Sequence, residues 1–540
     1  MLRRRRLRVG VLDLVTNKTT DVWFERSVML PNFASIMPQA VGAWAEELGC
    51  EVFYDTYTGD EDLAHSMPDD IDVLFISCFS RASYMAYAIA ARYRRGGTIA
   101  VLGGPHARSF AAHSRPYFDY ICQITDKATI KSLLESPERH DRAVVLNAPA
   151  QPDQLPSVEQ RVRFIDNNIA KNRARRWVRT VPMIGSVGCP YTCHFCVDAP
   201  IPYQTLPYAQ LVEDLRYTER RFGSDSLVFW HDPNFGVRFN EYMGLIEESG
   251  TKLMHGGESS LSLLGTKHLE TMQRNRWVAQ FPGIESWYGF SDKGGTGKMA
   301  GADKVRSVAD HVNQIMSYVP YVQTNFVLGL DDDQGDEPFE LTKSFVDLAP
   351  GAFPGYSIIT NFQNAPLSDQ LVAEGRTFSV PHPFLDNTSA FNVRIKHYPL
   401  LEFYDRMIDL QAHTFGARAK LRRWNSNRGR YVKLANLGRG VTEGGWRWGM
   451  FKRMRKLIAR DRSFERHYSG AKAAPPQHYF DQILRMLGKW SSWLPAELTT
   501  PAGFVETERR AAADPVVASR KPQAGFVTIS RARPTGEAAS

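Results

Sequence analysis

A chain of 540 residues, 43% hydrophobic and 23% charged, is too long for one hydrophobic core, and its length predicts about three to four domains. It has no run of about eighteen apolar residues that would span a bilayer, and the apolar stretch behind the basic start Met1-Leu-Arg-Arg-Arg-Arg-Leu-Arg8 is cut short at Asp13, so no signal peptide is expected. Six cysteines do not suggest a disulfide scaffold in so long a chain, and the expected compartment is a reducing cytoplasm. The formal charge of +8 is local: residues 418–466 hold 16 Lys/Arg against 3 Asp/Glu, which leaves the remainder at −5.

Strand-like runs at 8–14, 51–57, 72–79, 98–104 and 120–124 alternate with helical stretches at 40–49 and 84–95. This pattern predicts a doubly wound, Rossmann-like α/β domain over 1–145, with ligands beyond the carboxyl ends of its strands. A polar, proline-containing stretch at 146–178 reads as a linker. From 179 to 400 the runs 183–187, 226–231, 252–256, 278–285, 321–329 and 356–362 fit six β/α units, a partial (β/α)6 barrel with its chemistry at the strands' carboxyl ends. Residues 401–507 read as a helical, basic C-terminal domain, and 508–540 as a disordered tail.

Three of the six cysteines fall just after the first barrel strand, in Gly188-Cys-Pro-Tyr-Thr-Cys-His-Phe-Cys196. A [4Fe-4S] cubane takes one thiolate per iron, so Cys189, Cys193 and Cys196 would leave one iron open. An open iron can chelate the amino and carboxylate groups of S-adenosylmethionine, and Phe195 is placed to pack on its adenine. The alternative is a structural zinc with His194 or a distant residue as fourth ligand, although zinc loops usually pair C-x2-C with a second cysteine pair that this chain lacks. Cys50, Cys78 and Cys122 sit in or beside apolar runs and read as core residues.

With its setting, this loop resembles the radical S-adenosylmethionine superfamily. Further likenesses are His231-Asp-Pro-Asn-Phe235 after the second barrel strand, Gly283-Ile-Glu-Ser286 at the fourth, Asn325-Phe-Val-Leu-Gly-Leu330 in the fifth, and the segment from Ile359 through Ala365-Pro-Leu367 to Gly375-Arg376. Together they resemble the subfamily with an N-terminal cobalamin-binding domain, over residues 1–400. The resemblance implies that Asp232, Asn234, Glu285 and Ser286 bind S-adenosylmethionine, and Glu258 in Gly256-Gly-Glu-Ser-Ser260 is also placed to reach it. The other reading of each acidic residue is a helix cap or a surface loop.

Gly103-Gly-Pro-His106 and Pro38-Gln-Ala-Val-Gly-Ala-Trp-Ala-Glu-Glu-Leu-Gly49 resemble the cobalamin domain of that subfamily, which assigns Ser77, Ser80, Gly103 and Gly104 to cobalamin. Two features depart from the pattern. The first strand runs into Asp13-Leu-Val-Thr-Asn-Lys18 with no histidine for cobalt, and Gln123-Ile-Thr-Asp126 stands where Gly-Glu-Gly-Glu is common. The other reading is a Rossmann-like domain that supports the barrel and binds nothing.

In residues 446–458, Trp446, Met450, Met454, Leu457 and Ile458 share a helical face, with Arg447, Lys452, Arg453, Arg455 and Lys456 around it. Such a helix packs on its own domain or makes a peripheral membrane contact. No nucleic acid is expected as a partner. The resemblance implies a methyltransferase acting on an unactivated carbon of a small-molecule or lipid-like substrate through a 5′-deoxyadenosyl radical, fed by a reduced flavodoxin- or ferredoxin-type donor. A radical cyclase or oxidative enzyme without methyl transfer, and a non-catalytic cobalamin- or metal-binding regulator, are the alternatives.

Overall fold

The computed structural model describes residues 5–16, 18, 30–59, 62–191, 193–290, 294–385, 390–469 and 473–515. The expected tail therefore begins inside a described helix, and its part from 516 onward lies outside the described residues.

The N-terminal domain is built from β1 (Arg8–Leu14), α1 (Ile36–Glu47), β2 (Glu51–Tyr57), β3 (Val73–Cys78), α2 (Ser83–Arg95), β4 (Ile99–Gly103), α3 (Gly104–Ser109), α4 (Ala111–Ser114), β5 (Tyr120–Cys122), α5 (Lys127–Glu135) and β6 (Val144–Leu146). All six strands are parallel, in the order β2-β1-β3-β4-β5-β6. The order reverses between β1 and β3, so the ligand crevice of a doubly wound sheet lies beyond Leu14 and Cys78. Helices cover both faces: Val9, Val11 and Phe75 belong to one core with α1 and α5, and Leu12, Leu14 and Ile76 to another with α2. That double coverage gives β1 and β3 their continuous apolar runs.

The stretch expected as a linker is folded. Helix α6 (Val162–Lys171) lies on β2, where Arg163 donates to the Val52 carbonyl at 2.6 Å and the Thr56 N–H to Asn167 at 3.2 Å. Phe164 is fully buried, against Gly42 and Tyr54. Aromatic and aliphatic side chains spaced along one face outweigh the polar composition that suggested a connection.

The barrel follows as β7 (Thr180–Met183), the small hairpin β8 (Ser186–Val187) and β9 (Gln204–Thr205), α7 (Tyr208–Phe222), β10 (Leu227–Trp230), α8 (Phe239–Ser249), β11 (Met254–Gly257), α9 (Thr266–Arg274), β12 (Trp277–Gln280), β13 (Gly283–Glu285), α10 (Gly301–Tyr318), β14 (Tyr321–Leu328), α11 (Glu337–Leu348) and β15 (Phe353–Ile358). The parallel path runs β7-β10-β11-β12-β14-β15, with β13 also on β14. The fourth unit is thus two short strands interrupted at Phe281-Pro282, where proline offers no N–H to the ladder. On β10 and β14, buried residues alternate with half-buried ones, so one face meets the helices and the other a more open interior.

After α12 (Leu367–Ala373), the helices α13 (Leu400–Phe415), α14 (Ala417–Ser426) and α15 (Arg430–Arg460) cover the barrel's last strands, α16 (Arg462–Tyr468) packs on α15, and beyond α17 (Gln477–Leu487) the 3-10 segment Gly488–Trp493 and α18 (Pro501–Ala512) return to the N-terminal domain. Arg439 of α15 donates to Gln323 at 2.6 Å, and Trp490 donates to the Tyr57 hydroxyl at 3.0 Å. Met450, Met454 and Ile458 are buried as the helical face predicts, whereas Trp446 is exposed. No helix among the described residues is long and apolar enough to cross a membrane.

Candidate functional site at the carboxyl end of the barrel

The cysteine loop leaves β8 through Gly188, whose φ of 74° is a glycine conformation; a Cβ there would sit 2.6 Å from the Pro202 carbonyl oxygen. The Cys196 N–H donates to the Cys193 carbonyl at 2.9 Å, and the Asp198 N–H to the Cys196 sulfur at 3.4 Å. All six cysteines are thiols, and the three of this loop are half-buried. Among the described residues, the group of Cys, His, Asp and Glu donor atoms gathered within 4.8 Å of one another lies elsewhere. Three thiols on one loop, with the Asp198 N–H on the Cys196 sulfur, match the donor set of a cubane that keeps one iron open.

Two domains hold this loop in place. The Leu367 N–H donates to the His194 carbonyl at 2.7 Å, and Asn364 donates to the Val197 carbonyl at 2.9 Å. The same Asn364 accepts from the Ser109 hydroxyl at 2.6 Å, and Arg108 pairs with Asp198 at 3.5 Å. Ser109 and Arg108 lie on α3, which starts at the carboxyl end of β4 in the N-terminal sheet. The carboxyl ends of the two sheets are therefore joined at the cysteine loop.

Asp232 is almost wholly buried and accepts from the Gly185 N–H at 3.1 Å, the Ser186 hydroxyl at 2.6 Å and the Tyr242 hydroxyl. Burial raises its carboxyl above the usual range, and these donors oppose the rise. It ties the end of β10 to the base of the cysteine loop. Asn234 and Ser260 bond each other at 3.2 Å, and the Phe235 N–H donates to the Glu258 carbonyl at 3.0 Å, which joins the ends of β10 and β11. The Glu258 side chain is exposed. Glu285 is buried in a left-handed conformation, φ 66°, at the end of β13, and the Ser286 hydroxyl accepts from the Tyr288 N–H at 3.1 Å. A carboxylate residue held in that conformation carries backbone strain, a feature that clusters at functional sites. Phe195 stacks on Phe290 with centroids 4.9 Å apart.

At the N-terminal sheet, Gly104 has φ 84° and lies so close to β3 that a Cβ would be 2.8 Å from the Ser77 hydroxyl, whereas a Cβ on Gly103 would meet nothing within 4 Å. Ser80 is buried, its hydroxyl 3.2 Å from Nδ1 of His106. The structure thus turns Ser80 and His106 inward and leaves Gly103 facing open space, beside the exposed ring of Phe79.

Sequence reasoning gave no role to several residues of this region. His231 shares a face of the second barrel strand with Phe229, and its buried Nε2 has no hydrogen-bond partner. Burial, aided by Arg161, pulls its pKa down to about 4 and keeps the ring neutral. Gln323 donates to Asn325 at 2.9 Å on the half-buried face of β14. Two amides at i and i+2, Gln323 and Asn325, within the apolar run 321–329 were the readable signal.

No protein-family profile matches the chain. A bacteriochlorophyllide d C-12(1)-methyltransferase of Chlorobaculum tepidum is 22% identical over 367 residues, 66% of this chain and 78% of that protein. The radical S-adenosylmethionine methyltransferase TsrM of Kitasatospora setae, solved with cobalamin and a [4Fe-4S] cluster, superposes with a TM-score of 0.54 at 13% identity, over 84% of this chain and 99% of its own. The cobalamin-dependent radical enzyme OxsB, solved with aqua-cobalamin, gives 0.53 at 12% identity, over 94% of this chain and 84% of its own. With its N-terminal parallel α/β domain, partial (β/α)6 barrel and helical C-terminal region, the chain has the fold of the cobalamin-dependent radical S-adenosylmethionine enzymes.

Proposed function

We propose that this protein is a cobalamin-dependent radical S-adenosylmethionine methyltransferase acting on an unactivated carbon of a small-molecule or lipid-like substrate. One observation carries the reading: the loop bearing Cys189, Cys193 and Cys196 is bonded directly to α3 at the carboxyl end of the N-terminal sheet, through Arg108–Asp198 and the Ser109–Asn364–Val197 chain. A radical made on one side of that junction and a methyl group held on the other would act on the same substrate. When bound, the cluster supplies the electron that cleaves S-adenosylmethionine, and the cobalamin carries the methyl group.

The chain's own residues do the positioning. Cys189, Cys193 and Cys196 would each hold one iron of a bound cluster, and the Asp198 N–H would stabilise charge on the Cys196 sulfur. Asp232 fixes the loop's base through Gly185 and Ser186. Glu285, Ser286 and Asn234 lie at strand ends where polar groups of S-adenosylmethionine would be received, and the neutral, unpartnered Nε2 of His231 is suited to the same task. The stacked Phe195 and Phe290 exclude water beside the cysteines. Gly103, Ser77 and the exposed Phe79 offer a corrin an approachable backbone and an apolar face. Asp13-Leu-Val-Thr-Asn-Lys18 contains no histidine, so this segment would offer a bound cobalamin no imidazole.

The relatives' names frame the substrate: one acts on a bacteriochlorophyllide, and TsrM has been solved with tryptophan and aza-SAM. Both are ring systems whose apolar bulk would suit the interior face of Phe229 and Phe281, 5.4 Å apart. The exposed stripe Leu434, Leu437, Val441 and Trp448 on α15, among basic residues, supports a peripheral membrane contact, which vesicle co-sedimentation tests. A reduced flavodoxin or ferredoxin is the expected electron donor.

The deciding experiment loads anaerobic protein with iron, sulfide and cobalamin and supplies reductant, S-adenosylmethionine and either bacteriochlorophyllide d or tryptophan as probe. Methyl transfer predicts S-adenosylhomocysteine even without probe, in an amount matching the bound cobalamin. Formation of 5′-deoxyadenosine alone points to the reading without methyl transfer.

A further inference from the structure

His113, His382 and Glu508 come from α4, from the 3-10 turn His382–Phe384 and from α18, and meet where the C-terminal helices close over the N-terminal domain. The two imidazoles are 3% and 2% exposed, with ring centroids 4.2 Å apart. One carboxylate oxygen of Glu508 lies 3.6 Å from Nε2 of His113 and 3.8 Å from Nε2 of His382, and one donor atom from each residue falls within 4.8 Å of the other two. Nε2 of His113 is buried without a hydrogen-bond partner, a state that costs free energy unless something else satisfies the nitrogen.

We infer that these three residues bind a zinc ion. Zn–N and Zn–O bonds of about 2.0–2.2 Å at tetrahedral angles put donor atoms about 3.4 Å apart, so the two nitrogen–oxygen separations, 3.6 and 3.8 Å, need to close by only a few tenths of an ångström. The surrounding groups are those that orient metal ligands: Nδ1 of His113 contacts the Tyr87 hydroxyl at 3.1 Å, and the other oxygen of Glu508 accepts from Ser379 at 2.9 Å. His106, close by, is not a ligand, because its nitrogens face Tyr87 at 2.7 Å and Ser80 at 3.2 Å. Phe110 packs on His382 at 4.2 Å and Phe504 lies 6.5 Å from His113, an apolar wall around the site. Three protein ligands leave a fourth position for water.

The ion would fasten α18 to the N-terminal domain. Asp514 supports the same junction by accepting from Arg115 at 2.7 Å and from Arg142. This site is separate from the cysteine loop, and the inference does not depend on the proposed reaction.

Full-length protein with its cluster reconstituted is incubated with zinc sulfate and desalted, then zinc is counted by mass spectrometry and its ligands are read by X-ray absorption. The expected result is about one zinc per chain in a nitrogen and oxygen shell with imidazole scattering and no sulfur. Glu508→Gln and His382→Gln should each lower retained zinc about tenfold or more, and zinc should raise the Tm of the unsubstituted protein but not that of Glu508→Gln. His382→Gln alters a buried side chain, so Glu508→Gln, at the more exposed ligand, is the deciding variant, with its fold checked by circular dichroism. No zinc beyond that retained by Glu508→Gln, or a sulfur shell placing zinc on the cysteines, overturns the inference.

Discussion

The two parallel sheets present their carboxyl ends differently. In the N-terminal sheet β1, β3 and β4 are buried on both faces, so a ligand reaches only strand ends and the loops beyond them: Gly103, Phe79 and the start of α3. In the barrel, β10 and β14 are buried on alternate residues, and Phe229, His231, Gln323 and Asn325 lie along the more open side. A doubly covered sheet suits a large cofactor resting on its edge, and a barrel suits a reaction enclosed within it. The cysteine loop, bonded to both, is where the difference matters.

The largest effect expected from breaking the comparison comes on the barrel side. Cys193→Ala should lose S-adenosylmethionine cleavage entirely, with iron per chain falling toward background, while the N-terminal sheet and cobalamin binding persist. Next is the junction. Asn364→Ala removes the bridge between Ser109 and the Val197 carbonyl and should reduce S-adenosylhomocysteine formation more than 5′-deoxyadenosine formation; equal loss of both would deny that the junction couples the domains.

The glycine pair sharpens the sheet side. Gly104→Ala places a Cβ against Ser77 and Cys78 in a left-handed backbone and should cost about 1–3 kcal/mol in denaturant unfolding. Gly103→Ala meets open space, so it should leave stability nearly unchanged and weaken cobalamin binding, read by retention after desalting.

The smallest effect is a pH dependence that both sheets share. Burial raises Asp13 beyond β1's midpoint and Asp333 beyond β14 to about 7 each, against the donors Ser35 N–H and the Gly329 and Leu330 N–H groups. The folded state thus holds protons that the unfolded chain releases near pH 4, so stability should fall as pH rises from about 4 through 7. Asp13→Asn keeps an acceptor for Ser35 and should flatten part of that fall in urea midpoints measured from pH 5 to 8.

Much of the fold was legible because burial writes itself into periodicity. The runs 8–14 and 51–57 coincide with β1 and β2, and the runs at 226–231 and 321–329 miss β10 and β14 by a residue or two at an end. The edge strand β6 was not legible, being three residues long, nor was α6, whose charged composition hides Phe164 and Ile165. The helix expected at 40–49 begins at Ile36 because Pro38 fits a first helical turn. The cysteine loop was readable as spacing, but its tie to α3 was not, since Asn364 and Ser109 meet only through the tertiary fold. Asp232 shows the limit from the other side: a carboxylate after a barrel strand reads as a ligand-binding group, yet the packing around Tyr242 gives it three donors of its own. His113, His382 and Glu508 are equally invisible in sequence, each lying on a different element.

The central claim is that the three thiols hold a cluster that cleaves S-adenosylmethionine. Its most direct test measures iron and nucleoside products in anaerobically reconstituted, reduced protein. About four irons per chain, with 5′-deoxyadenosine formed from S-adenosylmethionine and abolished by Cys193→Ala, is the predicted result; zinc in place of iron, with no cleavage, would contradict it.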